Sequence, residues 1–128
     1  MKNKEFIIYE GEEYTIEWYY TRTEKSDAFE YFSDLAKVQQ DKLLYLIRRM
    51  ADTGVITNKE KFNYEGDHIF AFKPSPDRFL CFFFEGSKII VTNAFKKQTQ
   101  KLPPREKERA VKAKIDYTKR YKEGTYYE

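Results

Sequence analysis

The sequence predicts an α+β fold in which helices pack on one face of a meandering antiparallel or mixed sheet. Three observations predict it. Apolar residues first alternate with period two, as in a half-buried strand, and two segments with helical spacing follow. Three apolar runs separated by turn residues then precede a basic helix. This order gives two N-terminal helices and one C-terminal helix packed on the sheet.

The first strand is predicted between residues 14 and 20. Its large alternating residues are Tyr14, Ile16, Trp18 and Tyr20. Because successive side chains of a strand point to opposite faces, this spacing places all four on one face. Phe6–Tyr9 is predicted to pair with this strand across Gly11, although the remainder of residues 1–13 is an extension without an assigned role.

Two helices follow the first strand. Asp27 and Glu30 have the spacing of a capping box, which predicts the start of a short amphipathic helix. A second helix is predicted from about Val38 to Thr53, because its apolar residues recur at helical spacing and Gly54 is placed to end it. Residues 55–66 are expected to form a connector with little regular structure.

The second half of the chain predicts three strands and a helix. The strand-like runs are His68–Lys73, Arg78–Phe84 and Lys88–Phe95. The middle run is almost wholly apolar, as expected for a strand that is covered on both faces. The Pro103-Pro104 pair is placed to open the last helix, and residues 124–128 are expected to be a loose tail.

Length and composition favour one soluble domain spanning residues 1–128. A 41% hydrophobic and 35% charged content is ordinary for a globular protein. The one cysteine, Cys81, lies in an apolar run and is interpreted as a buried, inert thiol. The chain lacks a disulfide framework, a signal peptide and a membrane-spanning stretch, which predicts a cytoplasmic location. We identify no spacing of metal ligands and expect no metal or other cofactor.

Basic residues are concentrated near the C-terminus. Residues 88–122 hold twelve lysines and arginines against three acidic residues, whereas the net charge of the whole chain is only +3. Clustered cations of this kind gain affinity for polyanions by displacing counterions from phosphates. Most charge runs are simply solvated helix faces, but here part of the cluster follows directly from the end of a strand.

Residues 68–110 resemble the RelE/ParE superfamily of bacterial toxins, and within it the phage-derived HigB-like branch. Arg78–Phe83 is similar to the arginine-led central strand of these proteins, and Ile89–Phe95 to the strand after it. Phe95–Pro103 resembles the most recognisable segment of the branch: a phenylalanine, basic residues, Thr-Gln-Lys, a proline and then a helix. The resemblance covers about residues 14–121 and implies a RelE-like fold.

The chain departs from the pattern of the branch at several positions. Ala71 stands where an acidic residue is common, and Asn93 and Ala94 stand where His-Gly is frequent. Gln98 replaces a lysine, and Leu102 replaces a hydroxyl residue that would cap the last helix. These departures keep an inactive toxin relic among the alternatives.

The resemblance implies a toxin that cleaves mRNA on the ribosome and is neutralised by a helix-turn-helix antitoxin, with which it forms a hetero-oligomer. Attack by the 2′-OH of the RNA needs a base, a stabiliser of the charged phosphate and an acid for the leaving oxygen. A two-histidine solution is excluded, because His68 is the only histidine. Lysine, arginine and tyrosine remain as the candidates.

Three residues are predicted to carry the chemistry. Arg78 is the candidate for gripping the scissile phosphate, Lys73 is expected beside it across the turn, and Lys97 is the candidate acid or base. The bland alternative is that these residues only flank a hairpin in solvent. Further phosphate or RNA contacts are predicted for Lys96, Thr99, Lys101 and Arg105.

Other functions are compatible with the same sequence. A ParE-like member of the fold would inhibit a DNA topoisomerase and cut no RNA. A nucleic-acid-binding module would need only the basic helix, and it would bind RNA with a steep salt dependence without cleaving it. The conjunction of Arg78, Lys97 and the segment that follows residue 95 favours the endoribonuclease.

Overall fold

The computed structural model describes residues 5–99 and 101–128, which form six strands and three helices. In chain order these are β1 (Ile7–Glu10), β2 (Thr15–Trp18), α1 (Asp27–Ser33), α2 (Lys37–Thr53), β3 (Phe62–Tyr64), β4 (Phe70–Phe72), β5 (Asp77–Phe84), β6 (Lys88–Lys96) and α3 (Pro104–Glu123). The strands form one sheet in the order β1-β2-β6-β5-β4-β3. The β2–β6 pair is parallel and the other pairs are antiparallel.

The predicted α+β fold with a mixed sheet is confirmed, but the expectation that all helices share one face is wrong. Phe79 and Cys81 of β5 pack in a cluster with α1 and α2. Leu80 and Phe82, which point the opposite way, pack with α3. The sheet is therefore a central layer with helices on both faces. The continuous apolar run of β5 is the sequence feature that this arrangement requires.

The predicted helix boundaries are largely confirmed, with one correction. The N-cap of α1 is Ser26, whose Oγ accepts a hydrogen bond from the Phe29 backbone N–H at 3.3 Å. Asp27 is therefore the first helical residue, and the capping box predicted there is wrong. Its carboxylate instead accepts from the Ala94 backbone N–H at 3.2 Å, which ties α1 to β6. Gly54 ends α2 with φ 78°, as predicted.

Two short strands, one predicted and one not, lie at the edges of the sheet. Phe6–Tyr9 was predicted as a partner strand, and the structure confirms β1 antiparallel to β2. Residues 1–4 of the extension lie outside the described residues. The connector predicted at residues 55–66 contains the edge strand β3, so that expectation is wrong for Phe62–Tyr64. With only three residues, this strand shows too little alternation to be recognised.

The C-terminal tail packs against the sheet, so the expectation of a loose segment is wrong. Tyr126 is only 2% exposed, and its hydroxyl accepts a hydrogen bond from the Tyr20 backbone N–H at 2.9 Å. The Tyr127 hydroxyl donates to Glu17 Oε1 at 2.8 Å. Cys81 is fully buried and free, as predicted. Within the described residues, no helix is both long and apolar enough to cross a membrane.

Candidate active site

Three neighbouring strands end at one pocket on the α3 face of the sheet. The strands contribute lining residues in pairs. Ala71 and Lys73 come from β4 and the residue that follows it, Arg78 and Leu80 from β5, and Phe95 and Lys97 from β6 and the residue that follows it. The segment between β6 and α3 forms the rim, and Glu65 enters from the loop before β4. Since alternate residues of a strand point to the same face, the strand register places these side chains together.

Backbone hydrogen bonds fix the positions of the three candidate catalytic residues. Arg78 lies opposite Phe95 in the β5–β6 ladder. The Lys97 backbone N–H donates to the Pro76 carbonyl at 2.8 Å, so Lys97 is held next to the turn before β5. The Lys73 backbone N–H donates to the Lys61 carbonyl at 2.8 Å. The structure therefore brings Lys73, Arg78 and Lys97 together, while their catalytic roles stay predictions.

Asp77 anchors the strand that carries Arg78. Asp77 is 3% exposed, and its carboxylate accepts hydrogen bonds from the Tyr31 hydroxyl at 2.5 Å and from Gln39 Nε2 at 2.8 Å. Burial, together with this carboxylate, raises the pKa of Tyr31. Because Tyr31 lies on α1 and Gln39 on α2, these bonds fix the start of β5 to both helices. Sequence reasoning missed this positioning role, since an aspartate before a strand looks like an ordinary turn residue.

The pocket disfavours the charged form of Lys73. Burial lowers the pKa of Lys73, Glu65 opposes this change, and the nearby charges of Arg78 and Lys97 lower the pKa further. Burial also lowers the pKa of Arg78, against the opposing effects of Glu65 and Asp77. Like charges held close together in a partly dehydrated pocket attract an anion. A phosphate group has the charge that would relieve this repulsion.

The predicted RNA-binding residues divide into two groups. Thr99 and Lys101 line the pocket, and the Thr99 hydroxyl donates to the Lys101 carbonyl at 3.0 Å. Lys96 and Arg105 are exposed and do not line it. Lys96 neighbours Phe95 and Lys97 along the chain and therefore points to the opposite face of the sheet. Gln100 lies outside the described residues.

The pocket also contains a carboxylate that sequence reasoning missed. Glu65 Oε2 lies 3.9 Å from Lys73 Nζ, and the two side chains are only 19% and 16% exposed. Glu65 is the one acidic residue among the described lining residues. No sequence signal marked it, because it lies in the segment interpreted as a connector.

The departures from the HigB-like pattern occupy different environments. Ala71 and Gln98 line the pocket, as does Leu102. Asn93 does not: it is 2% exposed, and its Nδ2 donates to the Glu106 carbonyl at 3.1 Å and to Glu106 Oε1 at 3.0 Å. Asn93 therefore holds the first turn of α3 on the sheet. In the described part of the chain, no group of three or more histidine, cysteine, aspartate or glutamate residues is arranged to hold a metal ion.

Much of the basic C-terminal region is neutralised within the protein. Five of its cations form ion pairs: Lys88 with Glu17, Lys107 with Asp67, Arg109 with Asp27, Lys112 with Glu108 and Arg120 with Asp116. The net charge of this region therefore overstates what is available to a polyanion. The pocket cations and the exposed lysines on the outer face of α3 remain.

A sequence model of the family described as phage derived protein Gp49-like (DUF891) matches residues 30–114. The match includes α2, strands β3 to β6 and every described residue that lines the pocket. A search of curated proteins gives no match.

Proposed function

The chain belongs to the phage derived protein Gp49-like family, and from this premise we propose that it is an endoribonuclease toxin of a toxin–antitoxin pair. The family is one of RelE/HigB-like toxins. In this proposal the protein acts in the cytoplasm on mRNA held by the translating ribosome and thereby stops translation. The observation that carries the proposal is the convergence of Lys73, Arg78 and Lys97 on one pocket.

Arg78 and Lys73 are assigned to the scissile phosphate. The guanidinium of an arginine can donate two parallel hydrogen bonds to phosphate oxygens, while a lysine adds a compact charge. Negative charge grows on the phosphate oxygens when the 2′-OH attacks, so these cations bind the transition state more strongly than the ground state. One well-placed donor of this kind contributes roughly 3–4 kcal/mol. The partial burial of both side chains strengthens the interaction.

Lys97 is assigned as the acid that protonates the leaving 5′-oxygen. It lies in the same pocket, and its backbone is fixed to the turn that precedes Arg78. Thr99 and Lys101, on the rim, are assigned to the neighbouring phosphates of the RNA. Lys96 and Arg105 lie outside the pocket and are assigned to more distant phosphates of the mRNA or the ribosome.

The proposed partner for control is a helix-turn-helix antitoxin that forms a hetero-oligomer with this chain. The proposal follows the family, whose RelE/HigB-like members are toxins of toxin–antitoxin pairs. Placement in the HigB-like branch rests on the sequence resemblance of residues 95–103, and most of the described residues of this segment line the pocket.

The test is cleavage of mRNA on programmed ribosomes, mapped by primer extension. We expect Arg78→Ala and Lys97→Ala to lose cleavage by about 10²-fold or more, since each removes a group from the transition state. Lys42→Ala is the matched control, because it also removes one lysine charge, but from an exposed position on α2 that does not line the pocket. It is expected to cleave nearly as well as the wild type.

Three results would contradict the proposal, and each favours a different function. Salt-sensitive RNA binding without cleavage would indicate a binding module. Trapped DNA breaks with a topoisomerase, and no loss of mRNA, would indicate a ParE-like inhibitor. Absence of mRNA cleavage, RNA binding and topoisomerase inhibition would indicate an inactive relic.

A further inference from the structure

The loop that carries Glu65 has an unusual backbone. Three consecutive residues have positive φ: Gly66 at 91°, Asp67 at 53° and His68 at 64°. A left-handed conformation is strained for residues other than glycine, and such strain is concentrated at functional sites. The loop therefore adopts a conformation that its local sequence does not favour, and contacts outside it must hold it in place.

An ion pair with α3 and two backbone hydrogen bonds within the loop hold its conformation. Lys107 Nζ of α3 lies 2.9 Å from Asp67 Oδ2. The Glu65 backbone N–H donates to the Ile69 carbonyl at 2.7 Å, and the Ile69 N–H donates to the Gly66 carbonyl at 2.9 Å. The positive φ of Gly66 favours glycine, and a Cβ there would meet only the flexible end of the Lys107 side chain. These contacts fix the backbone from which the Glu65 side chain enters the pocket.

The Glu65 carboxylate is placed among donors. The basic side chains that line the same pocket are Lys73, Arg78, Lys97 and Lys101, and the loop itself carries Asp67, which is paired with Lys107. Protonated lysine and arginine only donate hydrogen bonds, whereas an ionised carboxylate only accepts them. Among the described lining residues, Glu65 is thus the one side chain that combines a negative charge with the ability to take up a proton.

We propose that Glu65 is the general base that removes the proton from the attacking 2′-OH, a role that rests on the nuclease function proposed above. The 2′-oxygen forms a bond to phosphorus as its proton passes to the Glu65 carboxylate. The bond from phosphorus to the 5′-oxygen breaks, and the Lys97 ammonium gives that oxygen a proton. The products are a 2′,3′-cyclic phosphate and a 5′-OH, and no metal or external oxidant takes part.

The competing role for Glu65 is structural, as a partner that neutralises Lys73. The two roles predict different results when Glu65 is replaced by the neutral glutamine. A structural partner replaced by glutamine leaves Lys73 and Arg78 free for the phosphate, so RNA binding tightens and cleavage continues. A base replaced by glutamine loses the proton acceptor, so binding continues and cleavage stops.

The experiment compares Glu65→Gln with the control Glu60→Gln on mRNA-programmed ribosomes. Glu60 also raises the pKa of Lys73, but it is exposed and does not line the pocket. We expect Glu65→Gln to slow single-turnover cleavage by about 10²–10⁴-fold, the usual contribution of a general base. Its affinity for an mRNA with a 2′-deoxy nucleotide at the cut site, which cannot be cleaved, is expected to equal or exceed that of the wild type. Glu60→Gln is expected to match the wild type in both measurements.

The outcomes separate this inference from the function on which it rests. Retained affinity for the 2′-deoxy mRNA shows that the Glu65→Gln protein is folded. Cleavage by Glu65→Gln at the wild-type rate would overturn the role of Glu65 alone. A loss of RNA binding that accompanies a slow rate would also overturn it, as this would indicate a positioning or structural role. A wild type that cuts no mRNA would overturn the nuclease proposal itself.

Discussion

At the N-terminal end of α3, basic side chains line a pocket in which Glu65 is the one acidic residue among the described lining residues, whereas at its C-terminal end Arg120 is buried and paired. Lys73, Arg78 and Lys97 line the first region. In the second region Arg120 Nη2 lies 2.5 Å from Asp116 Oδ2 and donates to the Tyr20 carbonyl at 2.6 Å. The first region therefore holds several cations around one described carboxylate, whereas Arg120 of the second region has both an acid and a carbonyl as partners.

This difference shows how the same residue types serve structure or function. Paired and buried cations join elements: Arg120 ties α3 to the segment after β2, and Lys88 joins Glu17 at 3.5 Å. Cations without enough partners cost stability and attract an anion, which is typical of binding sites. We therefore expect substitutions in the pocket to lower activity without lowering stability, and substitutions at the paired end to lower stability without lowering activity.

The largest expected effect is on cleavage at the pocket end. Arg78→Ala removes a phosphate ligand, so the rate of mRNA cleavage is expected to fall by about 10²–10³-fold. The free energy of unfolding should change by no more than about 0.5 kcal/mol, because the lost charge has few partners. Urea unfolding and single-turnover kinetics on the same preparation measure both. A large loss of stability would remove the contrast between the two ends.

The next effect is on stability at the paired end. Arg120→Ala removes the guanidinium donor of the Tyr20 carbonyl and leaves Asp116 with the Tyr19 hydroxyl as a remaining donor. We expect the protein to lose about 2–3 kcal/mol of unfolding free energy. Cleavage by the folded fraction should be unchanged, because Arg120 does not line the pocket. If Arg120→Ala were inactive while still folded, the separation between a structural and a functional end would be wrong.

A smaller effect is expected from the tail. Tyr127→Phe removes a hydroxyl that donates to Glu17 Oε1 at 2.8 Å and lies 2.8 Å from the Tyr117 hydroxyl. The ring contacts remain, so the expected loss is about 1 kcal/mol. Thermal unfolding measures it, and exposed Tyr45→Phe serves as the control. Equal stability of Tyr127→Phe and the wild type would show that the tail adds no hydrogen-bond energy.

The smallest effect is a pH dependence at the pocket. Burial lowers the pKa of Lys73 from 10.5, and Arg78 and Lys97 lower it further. A lysine is charged below its pKa, so as the pH rises Lys73 loses its charge earlier than an ordinary lysine does. Affinity for single-stranded DNA, which resists alkali, should therefore weaken in the alkaline range before pH 10.5 is reached. Lys73→Arg, whose side chain stays charged, should delay that loss, and identical pH curves for the two proteins would contradict it.

The parts of the fold and site with strong local signals were predictable. The strands that became β4, β5 and β6 are long apolar runs between turn residues, and the segment after Phe95 resembles a known pattern. Arg78, Lys97 and Lys73 could be chosen because each comes at the end of such a strand. These three side chains come together because of the antiparallel register of the strands, and that register is fixed for a hairpin once its turn is recognised.

The rest depends on tertiary contacts that leave little trace in the sequence. Glu65 precedes Gly66 in what looks like an ordinary turn, and the sequence shows neither its entry into the pocket nor the ion pair between Lys107 and Asp67 that holds the loop to α3. Tyr126 and Tyr127 follow the glycine that ends α3 and resemble a frayed terminus, yet the Tyr126 ring is buried against the sheet and the Tyr127 ring contacts Phe6. The placement of helices on both faces of the sheet likewise depends on which apolar surfaces pack together, and the periodicity of the sequence alone does not specify this.

The most direct measurement of the central claim is the chemistry of the cut end. Programmed ribosomes carrying ordinary mRNA, or the same mRNA with one 2′-deoxy nucleotide at the cut site, are treated with the wild-type protein. The account predicts cleavage of the ordinary mRNA alone, with a 2′,3′-cyclic phosphate upstream and a 5′-OH downstream. Cleavage of both mRNAs, or ends with a 5′-phosphate, would contradict attack by the 2′-OH in the pocket of Lys73, Arg78 and Lys97.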